Sequence, residues 1–374
     1  MEKIKRFIEC LLPVTACNLM CDYCYVIQEN NRKNEIPKLN YTPQQIRSAL
    51  TVERLGGICY ISICGAGETL LPKYSVDIVH ELLQEGHFVN ITTNGTLTQR
   101  FEEFCSFEPN LLSHLHFAFS LHFIELKDKG LLQTFFDNVK RVRQAGCSFV
   151  VQINLYDGYL PYLDEIKRLC LDNLGALPQV AATRDESNSN FVLLTNLSKE
   201  NYAMNGDSFD SPLFTFTMEN FMVKRKEFCY AGDWSFLLNL QTGIMRKCYA
   251  NGDNPVNIFE NPNDPIPFCA VGKNCKNKYC VNSSHFMSLG VIPSKNVPSY
   301  AQLRNRESAN WYTPTMNSFL NGKLEASNKK YSLMKKLRIY TPLRIKNFFQ
   351  ATKIRISRLT PNSIKSIYKK LRKK

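Results

Sequence analysis

The sequence predicts an α/β protein whose main domain is a partial (β/α)6 barrel, and three observations lead to this fold class. Over the first 185 of the 374 residues, short apolar runs alternate with longer stretches of helical periodicity, the pattern of βαβ units on a parallel sheet. The alternation occurs six times, which suits an open barrel better than a complete eightfold one. Polar motifs follow the strands, where barrels carry their functional loops. An open doubly wound sheet is the main alternative.

Each element is predicted from a local pattern. The apolar runs predict strands at Phe7–Val14, Ile58–Cys64, Phe88–Thr93, Leu115–Leu121, Ser148–Leu155 and Gln179–Thr183. The stretches between and after them predict helices at Thr42–Leu55, Pro72–Gln84, Thr98–Cys105, Leu131–Gln144 and Tyr159–Asn173. Thr42, Pro43 and Gln45 supply an N-cap, a proline in the first turn and a capping-box partner for the first of these helices.

Changes in composition divide the chain into five segments. Residues 1–185 form the barrel core, and residues 186–220 are a polar, Asn- and Ser-rich connecting region. Residues 221–292 hold a second group of cysteines and are predicted to form a small separate domain. Residues 293–328 contain scattered prolines and are interpreted as a linker, and residues 329–374 form a basic helical tail.

The net charge of +14 belongs to the end of the chain. From Lys323 to Lys374 there are 17 Lys and Arg and one acid, Glu325, so this stretch carries +16 and the remainder −2. Hydrophobic residues make up 44% of the chain and charged residues 21%, as in a globular protein. No stretch approaches the roughly 20 apolar residues of a membrane-spanning helix.

The N-terminus allows a second interpretation. Lys3, Lys5 and Arg6 precede an apolar run that ends in Val14-Thr15-Ala16-Cys17, which resembles a short lipoprotein signal. Glu9 interrupts this run of only about ten residues, which is marginal for a signal. We therefore interpret the segment as the first strand and expect the chain to be cytoplasmic. In a reducing cytosol, the clustering of its 14 cysteines indicates metal or redox chemistry rather than disulfides.

The first cysteine group follows the first predicted strand. The segment Cys17-Asn-Leu-Met-Cys21-Asp-Tyr-Cys24 is a CxxxCxxC motif. Three thiolates on one loop can hold three irons of a four-iron cluster, because soft sulfur ligands suit iron–sulfur clusters. The fourth iron is then open to a small molecule with an amine and a carboxylate. A zinc site is the alternative, but structural zinc usually takes four ligands in two pairs, and no fourth Cys or His lies nearby.

The motif resembles that of the radical S-adenosylmethionine (radical SAM) superfamily, CxxxCxΦC, with Tyr23 at the aromatic position. The resemblance covers roughly residues 7–185. It implies a partial barrel of the radical SAM type, with SAM bound to the [4Fe–4S] cluster of Cys17, Cys21 and Cys24. The implied reaction is reductive cleavage of SAM to methionine and a 5′-deoxyadenosyl radical that abstracts a hydrogen atom from the substrate, so the chain is expected to be an oxidoreductase or a maturase.

The same resemblance implies further cofactor-binding residues, each after a predicted strand. Gly65-Ala66-Gly67-Glu68 looks like the Gly-Gly-Glu segment that binds the methionine amine of SAM, with Ala66 replacing a glycine. Asn94, Ser120 and Asn154 match polar residues at the ends of strands three, four and five. The chain departs from the pattern by lacking an arginine beyond Ser120, so Lys127 or Lys129 would have to substitute, without the bidentate geometry of arginine.

The second cysteine group comprises Cys229, Cys248, Cys269, Cys275 and Cys280. Between the first two, Trp234–Leu240 is predicted to be a strand and Thr242-Gly243 its turn, which gives a hairpin with a cysteine at each base. This unit is similar to the start of the SPASM/twitch auxiliary-cluster domains of radical SAM enzymes, although the chain has too few cysteines for two full clusters. The resemblance implies one auxiliary [4Fe–4S] cluster on Cys229, Cys248, Cys275 and Cys280, with Cys269 an alternative ligand; a zinc site or unligated core cysteines remain open.

The basic tail contains two similar segments 19 residues apart, each beginning with Thr-Pro at Thr341 and Thr360, a favourable helix start. Apolar residues follow at helical spacing: Ile345, Phe348, Phe349, Thr352 and Ile356, then Ile364, Ile367, Tyr368 and Leu371. Such helices suit an anionic membrane surface. Docking against the body of the protein and nucleic-acid binding are the other interpretations, the last disfavoured because phosphate contact needs no apolar stripe.

Taken together, these motifs predict a cytoplasmic radical SAM enzyme, placed by its tail at the inner face of the membrane. The substrate is expected to be a peptide or protein, or a sugar or alcohol such as a glycan, and the reductant a flavodoxin or ferredoxin. A non-catalytic iron–sulfur or zinc scaffold or redox sensor is the alternative function. The motifs do not identify a catalytic base.

Overall fold

The computed structural model describes residues 2–187, 191–249, 255–273 and 275–339. The chain divides into two compact units, Met1–Asn328 and Lys329–Lys374. The second begins at the residue where the sequence predicts the tail, but residues 340–374, with both Thr-Pro segments, lie outside the described residues. Across the described ranges, no helix is both long enough and apolar enough to cross a bilayer.

The first unit is built on one sheet. Its strands are β1 Arg6–Leu12, β2 Cys59–Gly65, β3 Phe88–Thr93, β4 Leu115–Ser120, β5 Ser148–Leu155, β6 Gln179–Ala182, β7 Ser235–Asn239, β8 Ile244–Arg246 and β9 Val256–Asn257. The α-helices are α1 Tyr25–Gln28, α2 Pro43–Ala49, α3 Val52–Leu55, α4 Tyr74–Gln84, α5 Thr98–Cys105, α6 Pro109–Leu112, α7 Phe123–Asp128, α8 Leu132–Gln144, α9 Leu163–Leu174, α10 Lys199–Asp207, α11 Pro212–Asn220, α12 Ser283–Phe286, α13 Tyr300–Arg304 and α14 Pro314–Leu320. Short 3-10 helices occur at Asp157–Tyr162, Glu307–Ala309 and Leu324–Ala326.

The sheet confirms the predicted α/β fold with a partial barrel. Its strand order is β6-β5-β4-β3-β2-β1-β7-β8-β9. Strands β1 to β6 pair in parallel with their sequence neighbours, as six βα units require. Strand β7 also lies parallel to β1, and β8 and β9 then continue the sheet in antiparallel fashion. The predicted cysteine-flanked hairpin is thus β7–β8, and it extends the barrel sheet.

Two predicted helices differ from those observed. The stretch predicted as one helix from Thr42 is two, α2 and α3, because Thr51 caps a new helix by accepting a hydrogen bond from the Arg54 amide. The helix predicted to begin at Tyr159 begins at Leu163 instead. A 3-10 helix that contains Pro161 precedes it, since proline removes the amide that a regular α-helical turn would use. The capping box of Thr42 and Gln45 is confirmed.

The two faces of the sheet differ in chemistry. On the outer face, Phe117 and Phe119 of β4 pack against Phe101 of α5. On the inner face, a buried polar row crosses four strands in register: Glu9, Ser62, Asn90 and His116. The Asn90 side-chain amide donates to the Ser62 hydroxyl at 3.0 Å. Buried polar groups need hydrogen-bond partners. The row therefore indicates that the barrel interior has a role besides hydrophobic packing.

The region predicted as a polar connection is partly helical. It contains α10 and α11, both begun by serine caps, Ser198 and Ser211. The Ser211 hydroxyl also donates to the side chain of Gln179 on β6 at 2.7 Å and accepts from the Val180 amide at 3.0 Å. These bonds fasten the region to the last strand of the barrel.

Candidate active site

The first cysteine group lies on the loop between β1 and α1. Cys21 is buried, Cys17 and Cys24 are half-buried, and Cys24 is the N-cap residue of α1. Burial raises the pKa of the Cys17 thiol and raises that of Cys21 to about 12, with Glu125 and the other two thiols adding to the rise at Cys21. The Cys17 and Cys24 sulfurs are therefore close enough to Cys21 to affect the ionisation of its thiol.

The three thiols fit a cluster-binding loop in both chemistry and number. Three soft thiols on one short loop suit three irons of a four-iron cluster, and a bound metal would favour their thiolate forms. The Asn94 side-chain amide lies 3.9 Å from the Cys17 sulfur, so this end of the group faces the end of β3. Within the described ranges, no three His, Cys, Asp or Glu side chains converge as a ready-made metal site.

Two residues that the sequence analysis did not identify fix this loop. The Arg32 guanidinium donates to the carbonyl oxygens of Cys17 and Leu19, the latter at 2.7 Å. From the other side, the Glu125 carboxylate accepts from the Met20 amide at 2.8 Å. Both contacts depend on where the following segments return in space, so no local pattern could have indicated them.

The Gly65–Glu68 segment packs directly under the cysteine loop. A Cβ at Gly67 would lie 1.9 Å from the carbonyl oxygen of Ala16, and one at Gly65 would lie 2.3 Å from the Val14 side chain. The Glu68 amide donates to the same Ala16 carbonyl at 2.8 Å. Both glycines are therefore required by close approach to the residues just before Cys17.

The Glu68 side chain is only 3% exposed and binds the end of β3. Its two carboxylate oxygens accept from the Thr93 hydroxyl at 2.7 Å, the Asn94 amide at 2.7 Å and the Leu70 amide at 3.0 Å. Burial raises the pKa of this carboxyl, and the three hydrogen bonds oppose that rise. The carboxylate thus joins the ends of β2 and β3 beside the cysteine loop.

Asn94 completes this joint. Its side-chain amide donates to the side-chain oxygen of Asn18 at 2.8 Å, and its own side-chain oxygen accepts from the Thr96 hydroxyl at 2.7 Å. The Asn18 amide in turn donates to the Thr96 hydroxyl at 2.8 Å. Asn18 immediately follows Cys17, so this closed set of bonds holds the first cysteine over β3.

Tyr23 lies in a buried aromatic cluster beside Cys21. Its hydroxyl is 2.7 Å from Nδ1 of His122 and 2.9 Å from the hydroxyl of Tyr159, and Tyr156 packs against its ring. Burial lowers the pKa of His122 to about 4, so the ring is neutral at physiological pH. The aromatic position of the motif thus ties the cysteine loop to α7 and to the 3-10 helix after β5.

The remaining predicted cofactor residues lie farther along the inner face. Ser120 ends β4 and Asn154 lies near the end of β5, both half-buried, with Ser120 in register with Gln152 of β5. The structure brings them to the same edge of the sheet as Gly65 and Asn94. Lys127 is engaged elsewhere: its ammonium pairs with Glu165 at 2.7 Å and lies over the Tyr162 ring.

The second cysteine group lies on segments that are paired through their backbones. The Cys229 amide and carbonyl exchange hydrogen bonds with those of Gly272, which brings the segments before β7 and around Cys275 side by side. Burial raises the pKa of Cys229, with further rises from Cys280, Cys248 and Cys275, and burial raises the pKa of Cys280 to about 12. Cys269 is placed differently: its sulfur lies 3.8 Å from the Ala270 carbonyl and its amide donates to Gly232.

Glu9 lies between the two cysteine groups, on the inner face of β1. Its carboxylate accepts from the Asn282 side chain at 2.8 Å and from the Tyr249 hydroxyl, and Tyr25 and Cys64 are close enough to Tyr249 to affect its ionisation. Burial raises the pKa of Glu9 to about 7. Tyr25 follows Cys24 and Tyr249 follows Cys248. In the sequence, this site is indicated by the charged residue Glu9 within an otherwise apolar strand.

Comparison with known proteins agrees with the cysteine motif. Residues 11–169 match the radical SAM superfamily. Streptococcus suis SuiB bound to S-adenosylmethionine is 14% identical over 68% of this chain and 64% of its own, with a TM-score of 0.49. SuiB bound to the precursor peptide SuiA is 15% identical over 70% and 63%, with the same TM-score. His-tagged anSMEcpe with bound AdoMet is 13% identical over 68% and 75%, with a TM-score of 0.47.

The chain spans less than two thirds of the length of SuiB. No curated protein matches the sequence. The matched region contains all three cysteines of the first group, the Gly65–Glu68 segment, Asn94, Ser120 and Asn154. Over residues 11–169, which are less than half of its length, this chain matches the radical SAM superfamily.

Proposed function

We propose that this protein is a radical SAM enzyme that cleaves S-adenosylmethionine reductively and abstracts a hydrogen atom from a peptide, protein or sugar-type substrate. The observation that carries the proposal is the first cysteine loop. Its three thiols lie on one short loop, and this loop packs against Gly67 and is bonded through Asn18 to Asn94. When bound there, a [4Fe–4S] cluster supplies the electron that cleaves SAM to methionine and a 5′-deoxyadenosyl radical.

The residues of this chain would hold the two cofactors and exclude water. Cys17, Cys21 and Cys24 would ligate the cluster. Because the Glu68 carboxylate is occupied by Thr93, Asn94 and Leu70, we assign it a positioning role, and the backbone of Gly65–Gly67 is left to contact the methionine amine. Ser120 and Asn154 would contact SAM from the ends of β4 and β5.

A second four-iron cluster on Cys229, Cys248, Cys275 and Cys280 is part of the proposal. Two observations support it: Cys248 and Cys275 lie close enough to Cys229 and Cys280 to raise the pKa of both, and the paired backbone of Cys229 and Gly272 holds their loops together. Four thiols also fit a structural zinc ion. An iron–sulfur cluster is favoured over zinc at the second group, because the first cysteine group of the same chain already fits an iron–sulfur cluster.

Anaerobic reconstitution with iron and sulfide, followed by reduction and addition of SAM, tests the proposal. We expect about eight irons per chain, from two four-iron clusters, and formation of 5′-deoxyadenosine. Replacing Cys17, Cys21 and Cys24 together with Ala should remove about four irons and abolish 5′-deoxyadenosine. An intact first cluster that leaves SAM uncleaved would instead identify a non-catalytic scaffold or redox sensor.

A further inference from the structure

The loops that carry the second cysteine group are strongly basic. Residues 224–229, 246–248 and 269–280 contain eight Lys or Arg and one acid, Glu227. The first unit as a whole carries −2 and these segments carry +7, so the rest of the unit carries −9 and this concentration of positive charge is local. We call these eight cations the basic collar: Lys224, Arg225, Lys226, Arg246, Lys247, Lys273, Lys276 and Lys278.

The collar faces solvent. Six of its members are exposed, and the other two, Arg225 and Lys247, are half-buried. Glu227 lies 3.9 Å from Arg225 and 3.1 Å from Lys295, which is outside the collar, so this acid neutralises little of the collar's charge. Met222 and Val223, directly before the collar, are exposed apolar residues at 43% and 39%. A cationic surface with exposed apolar side chains at its border suits a protein partner.

The cations are adjacent to the proposed cluster ligands. Lys276 follows Cys275, Lys247 precedes Cys248, and Lys226 lies three residues before Cys229. The Cys229–Gly272 pairing joins two of the collar segments into one surface. A partner bound to the collar would therefore lie close to the proposed ligands of the second cluster.

We propose that the basic collar is the docking surface for an acidic one-electron carrier, of the flavodoxin type, that delivers electrons through the second cluster. This inference rests on the proposed function. Electron-transfer encounters use small, charge-steered interfaces, which matches a cationic surface around a redox centre. In each transfer the carrier's anionic flavin hydroquinone loses one electron to become the neutral semiquinone, and the cluster gains that electron. An acidic peptide substrate is the competing occupant.

Binding is tested on full-length, cluster-loaded protein with oxidised flavodoxin as the probe, by flavin fluorescence titration. The collar variant carries Lys224→Glu, Lys226→Glu and Lys276→Glu. The matched control carries three reversals at exposed cations elsewhere on the first unit: Lys3→Glu, Arg168→Glu and Lys199→Glu. We expect the collar variant to weaken binding by on the order of tenfold or more at low salt, and the control to change it less than about twofold. All variants keep the basic tail, so attraction to the tail is common to them.

The rate of flavodoxin hydroquinone oxidation should fall in parallel, whereas SAM cleavage driven by a photoreduced deazaflavin should be unchanged in the collar variant. Equal flavodoxin affinity in the collar variant and the control would overturn the docking surface. So would a collar variant that binds flavodoxin normally but loses affinity for polyglutamate, since that would assign the collar to an acidic peptide. Absence of deazaflavin-driven SAM cleavage in the unmodified protein would instead refute the proposed function.

Discussion

Glu9 shows how one residue links the two halves of the site. An ionised carboxyl on a buried strand is unfavourable unless it is hydrogen-bonded, and both bonds here come from the cysteine-rich segment, through Asn282 and Tyr249. These are neutral donors, and the nearest cationic influence is Arg304. They stabilise the charge less than a paired cation would, which explains why burial dominates and raises the pKa of Glu9.

We predict that Glu9 makes stability fall as pH rises. With a pKa of about 7 in the folded state against 4.5 unfolded, the folded protein binds this proton more tightly, so stability is highest below pH 4.5 and declines through pH 7. Between pH 6 and 8, chemical unfolding under anaerobic reducing conditions should show a decline in unfolding free energy that is absent in Glu9→Gln. The full effect, from below pH 4.5 to above pH 7, is up to about 3 kcal/mol, of which about 1.4 kcal/mol falls between pH 6 and 8. The exposed control Glu200→Gln should keep the decline of the unmodified protein; the same decline in Glu9→Gln would contradict the assignment.

Gly67 gives a second prediction at this scale. In Gly67→Ala the new methyl group would meet the Ala16 carbonyl at 1.9 Å, and only a shift of the backbone before Cys17 relieves the contact. We expect a loss of stability of about 1–3 kcal/mol and loss of about four irons after reconstitution. Gly146→Ala is the control, because its φ of 92° is strained for alanine but no atom lies within 4 Å. Iron content as high in Gly67→Ala as in Gly146→Ala would show that the contact does not position the loop.

The sequence identified Gly65 and Gly67 by resemblance but not the reason for them. The approach of Gly67 to Ala16 depends on the register of β1 against β2, in which Leu12 lies beside Gly65. Register across parallel strands is set by packing over the whole sheet, and a single strand does not reveal it. The contacts of Arg32 and Glu125 with the cysteine loop could not be predicted either, because they too depend on how segments distant in sequence pack together.

At the scale of elements, the parallel strands were the most predictable part. Phe88–Thr93 and Ser148–Leu155 have the predicted bounds, because both are largely buried and rich in the β-branched and aromatic residues that favour strands. The helix break at Thr51 and the 3-10 turn at Pro161 were missed, because a local cap or proline outweighs apolar periodicity there. The β7–β8 hairpin followed from its turn, but its pairing with β1 joins Phe7 to Ser235, which no local pattern indicates.

The hairpin and the loop at Cys275 lead to a prediction that separates two neighbouring cysteines. Cys275 lies close enough to Cys229 and Cys280 to raise their pKa values, whereas the Cys269 sulfur is directed at the Ala270 carbonyl. Cys275→Ala should therefore lose the iron of the second cluster, while Cys269→Ala should keep about eight irons per chain. Iron analysis with electron paramagnetic resonance of the reduced proteins measures both.

Uncoupled SAM cleavage should survive in Cys275→Ala, because the first site is built independently on β1 to β5. Equal iron loss in the two variants would make Cys269 a ligand. One equivalent of zinc with only four irons in anaerobically purified protein would establish the zinc interpretation of this group.

At the scale of the whole molecule, one sheet joins the barrel to the second cysteine group. Strand β1 lies at the junction, with β2 on one side and β7 on the other. The loop after β1 carries Cys17. The inner face of β1 carries Glu9, which binds Tyr249 and Asn282, close in sequence to Cys248 and Cys280. A single strand thus contributes residues to both proposed cluster sites.

The division of charge predicts that the tail binds membranes. The last 52 residues carry +16 and the remainder −2, and the apolar residues of the tail recur at helical spacing, although residues 340–374 lie outside the described structure. Each Lys or Arg near an anionic surface contributes on the order of 1 kcal/mol, screened by salt, so a few engaged residues would give measurable binding. Insertion of the apolar residues would make part of that binding resistant to salt. In sedimentation with anionic vesicles, the full-length protein should pellet with the vesicles, whereas a chain that ends at Asn328 should stay in the supernatant. Equal sedimentation of the two chains would exclude a membrane role for the tail, and complete release of the full-length chain at moderate salt would limit that role to electrostatic contact.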